Sequence, residues 1–210
     1  MEHPIVQLID LSDELLLMIF KNMKKALALY SLIGINKRFE NILLDPIFMS
    51  HLNLMTCASN GLIYPMRKKT IDRFCSHILP KGHHKVEWLN LEVSSMERLL
   101  LTTDYPNLHG LGLFNIQQEL DEYLFNDKSS FAHIFKNQIL ALVIKFDKNK
   151  GKSLMENIAI NTFKNILTIF TNLRYLSFDA PLNRKSTPIL LDWQHPQTFS
   201  STSLKERHIN

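Results

Sequence analysis

The chain has 210 residues, of which 45% are hydrophobic, and it carries a formal net charge of +4. This length and apolar content are enough for a sizeable core, and they exclude a disordered chain. Basic and acidic residues are interspersed along most of the sequence, which favours solvated charged faces over a dedicated polyanion-binding patch.

Cysteine content and the N-terminal segment indicate where the protein resides. Cys57 and Cys75 are too few to build the disulfide framework of a small secreted protein. The N-terminus lacks the basic and apolar regions of a secretory signal, and no apolar run approaches the roughly 20 residues that span a bilayer. We therefore expect a cytoplasmic or nuclear protein without membrane contact.

The first predicted helix begins after Ser12. The Ser12 side chain can accept a backbone N–H as the N-cap, while Asp13 and Glu14 place negative charge in the first turn. Apolar residues then recur at three- and four-residue spacings and form a face too broad for one neighbouring helix. These apolar residues are Leu15, Leu16, Ile19, Phe20 and Met23.

Two further short helices are predicted after the first. Residues 27–33 favour a second helix that Gly34 can end, and Asn36 can cap a third that reaches residue 43. Pro46 is expected to stop that run. The three helices together hold more apolar surface than such a small unit can bury alone.

This N-terminal stretch resembles an F-box. The resemblance covers residues 5–52 and is carried by Leu11-Ser-Asp-Glu-Leu-Leu16, Ile19-Phe20, Leu32, Asn36-Lys-Arg-Phe39 and Asp45-Pro46. The usual family pattern begins Leu-Pro-x-Glu-Leu-Leu and closes with Lys-Arg-Trp and Asp-Pro. Ser12 therefore stands at a position usually held by proline, Phe39 at one usually held by tryptophan, and Ala28-Leu29 where the second helix often opens with Asp-Leu.

The resemblance implies a function for the whole chain. In that family the motif docks on a Skp-type adaptor of a cullin-RING ubiquitin ligase, and the rest of the chain selects protein substrates. It thus implies a non-enzymatic substrate-recognition subunit of an SCF-type ligase. Six residues are implied by position to meet the adaptor, Leu11, Ser12, Leu15, Leu16, Ile19 and Phe20, with Leu32 and Phe39 mainly supporting the helices.

Residues 53–85 are predicted to be a helical linker. Apolar residues at three- and four-residue spacings within 69–79 predict one amphipathic helix, which Pro80 and Gly82 are expected to close. Such a helix would join the N-terminal unit rigidly to the rest of the chain.

Residues 86–180 show a different pattern, in which short alternating segments recur. Most have the form Leu-x-x-Leu-x-Leu, and helical runs over 96–105 and 163–170 each lead through Asn-Leu into one of them. The predicted strands cover 86–91, 108–113, 139–144 and 173–178.

These copies resemble leucine-rich repeats whose spacing is irregular. Two intervals need insertions, and the polar segments 117–131 and 147–161 are expected to form loops. Residues 181–210 are expected to contain a partial repeat, with a fifth strand or a cap at 188–193, followed by loop. The predicted fold class is therefore α+α/β, with a three-helix F-box-like unit followed by an irregular leucine-rich-repeat-like solenoid.

In a solenoid of parallel strands, side chains between the buried leucines face a concave binding surface. This reasoning makes them candidates for contact with a protein substrate. The candidates are Glu87, Asn90, His109, Gly112, Lys145, Arg174 and Ser177.

No sequence pattern indicates catalysis, and we expect no enzyme activity, cofactor or metal. Motifs of zinc hydrolases, serine hydrolases, phosphate loops and dinucleotide sites are absent. Several potential ligands lie between residues 57 and 84 but lack the paired spacing of zinc sites. They are Cys57, Cys75, His77, His83 and His84.

Two alternatives remain open from the sequence. In one, the F-box-like segment packs only against its own repeats and the chain is an interaction scaffold; burial of Leu15, Leu16, Ile19 and Phe20 within the chain would leave no docking face. In the other, a basic solenoid binds nucleic acid. That binding would use Lys145, Lys148, Lys150 and Lys152.

Overall fold

The computed structural model describes residues 7–116, 129–146, 152–179 and 189–192. The chain divides into two compact units, Met1–Leu108 and His109–Asn210. The fold is α/β, in which N-terminal helices are followed by mostly parallel, mixed strand pairing with interleaved helices. At this level the predicted fold class is confirmed.

The three predicted N-terminal helices are present, and a fourth follows them. They are α1 (Asp13–Asn22), α2 (Lys25–Leu32), α3 (Lys37–Leu43) and α4 (Pro46–Met49). Ser12 and Asn36 cap α1 and α3 as predicted, accepting the backbone N–H of Leu15 at 3.5 Å and of Arg38 at 2.7 Å.

The two predicted stop signals behave differently. Gly34 follows α2 at a φ of 85°, the left-handed conformation that suits a glycine after a helix. Pro46 instead begins α4, where its missing N–H costs nothing, and the Asp45 side chain caps that helix by accepting the Ile47 N–H.

The predicted linker contains strands that the sequence analysis missed. Strand β1 (His51–Cys57) and strand β2 (Ile63–Pro65) form an antiparallel hairpin. Its turn holds Asn60 and Gly61, with Gly61 at a φ of 79°. An Asn-Gly pair beside alternating apolar residues is a hairpin signal, and Leu52 and Leu54 supply that alternation.

The predicted helix over 69–79 is confirmed, but it continues past Pro80. It consists of α5 (Lys68–Arg73), a π-helical turn (Phe74–Ile78) and α6 (Leu79–Gly82). Proline lacks an N–H and its ring collides with a carbonyl one turn back. The wider π turn, in which the Leu79 N–H reaches the Phe74 carbonyl, accommodates Pro80 without ending the helix.

A parallel strand pair completes the first unit. Strand β3 (Trp88–Glu92), predicted at 86–91, pairs with β1 and places Leu89 beside Leu52 and Leu91 beside Leu54. Helix α7 (Met96–Leu100) begins where predicted but ends at Leu100, short of the predicted end at residue 105.

The described residues of the second unit form four strands in the order β4-β5-β6-β7. They are β4 (Gly110–Ile116), β5 (Ala141–Phe146), β6 (Tyr175–Asp179) and β7 (Ile189–Asp192). The first three are parallel, and β7, at the position predicted for a fifth strand, runs antiparallel to β6.

Two helices in the second unit correct the predicted loops. Helix α8 (Ser130–Phe135) begins inside the predicted loop 117–131, and helix α9 (Lys152–Ile169) takes up most of the predicted loop 147–161. Polar residues between the apolar positions concealed the helical period of α9. Residues 117–128 and 147–151 lie outside the described part of the chain.

Candidate functional site

The N-terminal unit leaves one side of α1 uncovered. Leu15, Met18 and Ile19 follow three- and four-residue spacing on α1 and are 47%, 61% and 38% exposed. We call these three residues the α1 face. Leu8 and Ile9, in the turn before α1, are also exposed. Grouped large apolar side chains in water are typical of an interaction site.

Two residues assigned to adaptor contact by resemblance face inward instead. Leu16 and Phe20 are fully buried, and the Phe20 ring meets the Phe39 ring edge-on with centroids 5.5 Å apart. They lie in the neighbouring row of α1 and hold it against α3, so neither is exposed to a partner in this structure. Adaptor contact by the other residues of the set stays a prediction.

The remaining residues of that set have mixed exposure. Leu11 and Leu32 are half-buried, and Ser12 is exposed where it caps α1. Phe39 is buried, in keeping with the supporting role implied by the resemblance. Burial of all four helix residues, which would leave no docking face, is not observed, because Leu15 and Ile19 are exposed.

Arg38 positions the segment that leads into the α1 face, a role the sequence analysis missed. Its guanidinium donates to the backbone carbonyls of Ile9 at 2.9 Å and Leu11 at 2.7 Å. It also pairs with the Asp13 carboxylate at 2.6 Å. Three bonds from one rigid fork tie the start of α1 to α3. The only sequence signal for Arg38 was its place in the Lys-Arg-Phe motif of the F-box-like pattern.

The helix over 68–82 is fastened to the N-terminal helices by cationic side chains. Arg73 donates to the carbonyls of Tyr30 at 2.9 Å and Ile33 at 2.7 Å, which satisfies the C-terminal end of α2. Its guanidinium carbon also lies 5.4 Å from the centre of the Tyr30 ring. Lys85 donates to the Leu44 carbonyl after α3. These bonds support the rigid attachment expected of this segment.

Glu40 is a buried acid at the same junction. Its carboxylate accepts hydrogen bonds from Lys81 at 2.7 Å and Lys37 at 3.1 Å. The bond from Lys81, followed by that from Lys37, lowers the pKa of Glu40 below its ordinary value. An ionised Glu40 therefore links α3 to α6.

A groove of about 420 Å³ runs beside the first turn of α1. Leu17, Ile42 and Ile47 supply apolar surface, and Asp13 and Glu14 are among the acidic residues that line it. A hydrogen bond from the Ser12 side chain lowers the pKa of Glu14, so this acid is ionised at neutral pH. The groove thus combines apolar surface with negative charge.

The candidate substrate-contacting residues do not form one cluster. In the second unit, His109 and Arg174 are exposed just before β4 and β6 begin, whereas Lys145 is exposed near the far end of β5. Five residue steps along the strands separate these levels, which is about 17 Å. Gly112 is buried and Ser177 is half-buried.

In the first unit, Glu87 and Asn90 are half-buried. Asn90 belongs to a polar row across two strands: its side-chain oxygen accepts the Trp88 indole N–H at 2.8 Å, and its amide donates to Asn53. Sequence analysis missed Asn53 because β1 itself was missed.

The nucleic-acid alternative gains no support from the described residues. Lys148 and Lys150 lie outside them, as does the side chain of Lys152. Lys145 is described, and its ammonium lies 5.6 Å from the centre of the Phe114 ring.

No group of three or more metal-ligand side chains is gathered anywhere in the described ranges. Cys57 is exposed, the Cys75 thiol lies 3.7 Å from the Arg98 carbonyl, and His83 contacts the Asp104 carbonyl. Across the same ranges, no helix has the length and apolar content needed to cross a membrane.

Comparison with known proteins gave no match of significance to a family model, to a curated protein or to a solved structure.

Proposed function

We propose that this chain is a substrate-recognition subunit of a cullin-RING ubiquitin ligase and that it docks on a Skp-type adaptor through the α1 face. Two observations support the proposal. The sequence carries the F-box-like order of motifs, and two residues implied to meet the adaptor, Leu15 and Ile19, are exposed together with Met18. The exposed α1 face is the observation that carries it. The assembly would act in the cytoplasm or nucleus.

The energetics favour a partner over permanent exposure. Full burial of a leucine or isoleucine side chain contributes about 1.5 to 3 kcal/mol. The α1 face has three large apolar side chains that are each more than a third exposed. Covering all three offsets more of the cost of association than covering one isolated surface leucine would.

In this proposal the remainder of the chain selects a protein substrate, and catalysis belongs to partner subunits. We propose that the strand-helix units form an irregular leucine-rich-repeat-like solenoid. The support is the alignment of apolar side chains across parallel strands: Leu111, Leu142 and Leu176 share one register position, and all three are fully buried. Stacked repeats bury their apolar sides in this way.

The test is co-elution of the full chain with a purified Skp-type adaptor on size exclusion, followed by affinity measurement by calorimetry. A one-to-one complex is expected. The double substitution Leu15→Asp with Ile19→Asp should weaken binding at least about a hundredfold, since it removes apolar burial and adds charges that the interface must desolvate. Both positions are exposed, so the variant is expected to fold.

A matched control comes from the second unit. Ile160 and Leu167 on α9 are 44% and 40% exposed, and changing both to Asp makes the same chemical change in the other unit. This control should bind the adaptor as the unchanged chain does. If a folded Leu15→Asp, Ile19→Asp variant binds equally well, the α1 face is not the docking surface. If the folded, unchanged chain fails to bind, the ligase proposal is rejected.

A further inference from the structure

A cleft of about 700 Å³ lies between α2 and one side of β1, entirely within the first unit. Leu52 and Leu54 face the core, so the alternate residues of β1 point the other way. His51, Asn53 and Cys57 are three of those alternate residues, and all three are exposed and line the cleft. The cleft therefore follows β1 from its first residue to its last.

This extent fits an extended chain. The seven residues of β1 cover about 20 Å at roughly 3.3 Å per residue. A partner segment of about seven extended residues has the same length. The volume is also large enough for several side chains, because ligand sites commonly occupy about 300 to 1,000 Å³.

The charge in the cleft has one sign. Lys24 and Lys25 line the wall formed by α2, and among the described residues neither ammonium is paired with a carboxylate. No aspartate or glutamate belongs to the cleft lining within the described part of the chain. An unneutralised pair of ammonium groups favours a partner that brings carboxylates.

The rest of the lining is mainly apolar or aromatic. Leu27 is 52% exposed, and Met55 and Met66 are half-buried. Tyr30 presents an aromatic ring whose orientation is held by Arg73. Methionine side chains adapt their shape to different apolar groups. The cleft therefore combines two cationic points with an adaptable apolar surface.

We propose that this cleft binds an extended segment of a protein partner in which acidic side chains alternate with apolar ones. The identification of that partner as the ligase substrate rests on the proposed function. The cleft itself and its preference for acidic and apolar side chains do not depend on that function. Acidic side chains meet Lys24 and Lys25, and apolar side chains meet Leu27, Met55 and Met66. The substrate site then begins at β1, beside the adaptor-docking helices.

The experiment is a selection of random peptides of about eight residues, displayed on phage, against the full 210-residue chain without adaptor. Enriched peptides are expected to contain both acidic and apolar residues. Fluorescence anisotropy with the enriched peptides should then show binding about tenfold weaker or more for Lys24→Glu with Lys25→Glu, and affinity that falls as salt rises.

The matched control is Lys136→Glu with Lys164→Glu, which makes the same charge change at two exposed lysines of the second unit. A steric variant, Cys57→Trp, fills the cleft from an exposed position of the cleft-facing row without altering charge and should also weaken binding. Circular dichroism verifies that each variant is folded.

Three results would overturn the proposal: no enrichment over an unselected library, enriched peptides without acidic residues, or equal binding by the Lys24→Glu, Lys25→Glu variant and its control. Because the adaptor is absent from this assay, its failure is distinct from failure of the ligase proposal. Peptide binding without adaptor co-elution would retain the cleft and reject the ligase role.

Discussion

Glu40 shows how a single side chain couples the stability of the N-terminal unit to pH. The residue is only 7% exposed, yet it is charged, because Lys81 and Lys37 donate hydrogen bonds to its two carboxylate oxygens. Removing either cation leaves a buried carboxylate less well compensated.

The lowered pKa of Glu40 predicts the direction of the pH dependence. Its pKa in the folded state lies below the ordinary 4.5, so between the two values the unfolded chain binds more protons. The stabilisation is therefore complete above pH 4.5 and is lost as the pH falls through the lowered value. Urea unfolding between about pH 6 and about pH 3 should show this decline.

Substitution tests the assignment of that decline to Glu40. Glu40→Gln removes the titrating group and should flatten this part of the profile. Lys81→Met removes the main cause of the lowered pKa and should shrink the decline as well. Identical profiles for Glu40→Gln and the unchanged protein would assign the pH dependence to other carboxylates.

Residues differ in how far sequence alone predicts their roles. Ser12 and Asn36 were predicted as caps because capping depends on neighbours two or three positions away. The inward side of α1 was not predicted, since Leu15 and Leu16 are chemically alike and only packing against α3 distinguishes them. Resemblance assigned both to the partner, and the structure leaves only Leu15 exposed.

Among the secondary-structure elements, α6 and α4 approach each other at a glycine. A Cβ on Gly82 would lie 2.5 Å from the Met49 methyl carbon and 3.2 Å from a Leu44 methyl carbon. Met49 is fully buried, so its side chain has little room to move away. A Cβ at position 82 would therefore force the Met49 side chain to shift, and the φ of Gly82 is negative, so backbone strain is not the reason for the glycine.

We predict that Gly82→Ala lowers the free energy of unfolding by about 1 to 3 kcal/mol, the usual range for overpacking a core. Combining it with Met49→Leu, which shortens the obstructing side chain, should recover part of the loss. Denaturant unfolding of both single variants and the double variant measures this coupling. Strict additivity would show that the two residues do not compete for the same space.

Elements that carry several apolar repeats were predicted well, and elements that carry few were predicted poorly. The helices at 13–22 and 68–82 carry several apolar repeats, and the predicted positions hold. β1 has only Leu52 and Leu54 as buried alternating residues, too few to separate a strand from a loop. α9 was divided between loop and helix because asparagine and lysine lie among its apolar positions.

At the scale of a whole unit, apolar side chains at matching register positions of parallel strands form the interior of the second unit. Leu142 lies in β5 between Leu111 of β4 and Leu176 of β6, and all three are fully buried. Val143, the next residue, is half-buried and points to the other side of the strands.

Leu142→Ala should therefore lower the free energy of unfolding by about 2 to 5 kcal/mol, because it leaves a cavity between two neighbouring strands. Val143→Ala removes a smaller and more exposed side chain and should cost clearly less. Urea unfolding monitored by circular dichroism compares the two variants. Similar losses would contradict the inward direction of Leu142.

The fold of the whole chain was predictable only at a coarse level. Helices first and parallel strands afterwards follow from local patterns, and this order is confirmed. The pairing of β1 with β3 joins residues on either side of the helix over 68–82, and no local pattern encodes such a distant contact. The cleft beside β1 was unpredictable for the same reason.

The π turn at 74–78 also links the length of this helix to Pro80. A π turn holds one residue more than the α-helical turn it replaces, so deleting a residue there would restore ordinary winding and leave the helix beyond it nearly in place. Lys81 would then stay near Glu40, and position 82 near Met49. Ordinary winding would, however, set the Pro80 ring against a carbonyl one turn back. Homologous chains that are one residue shorter between Arg73 and Lys81 should therefore lack the proline.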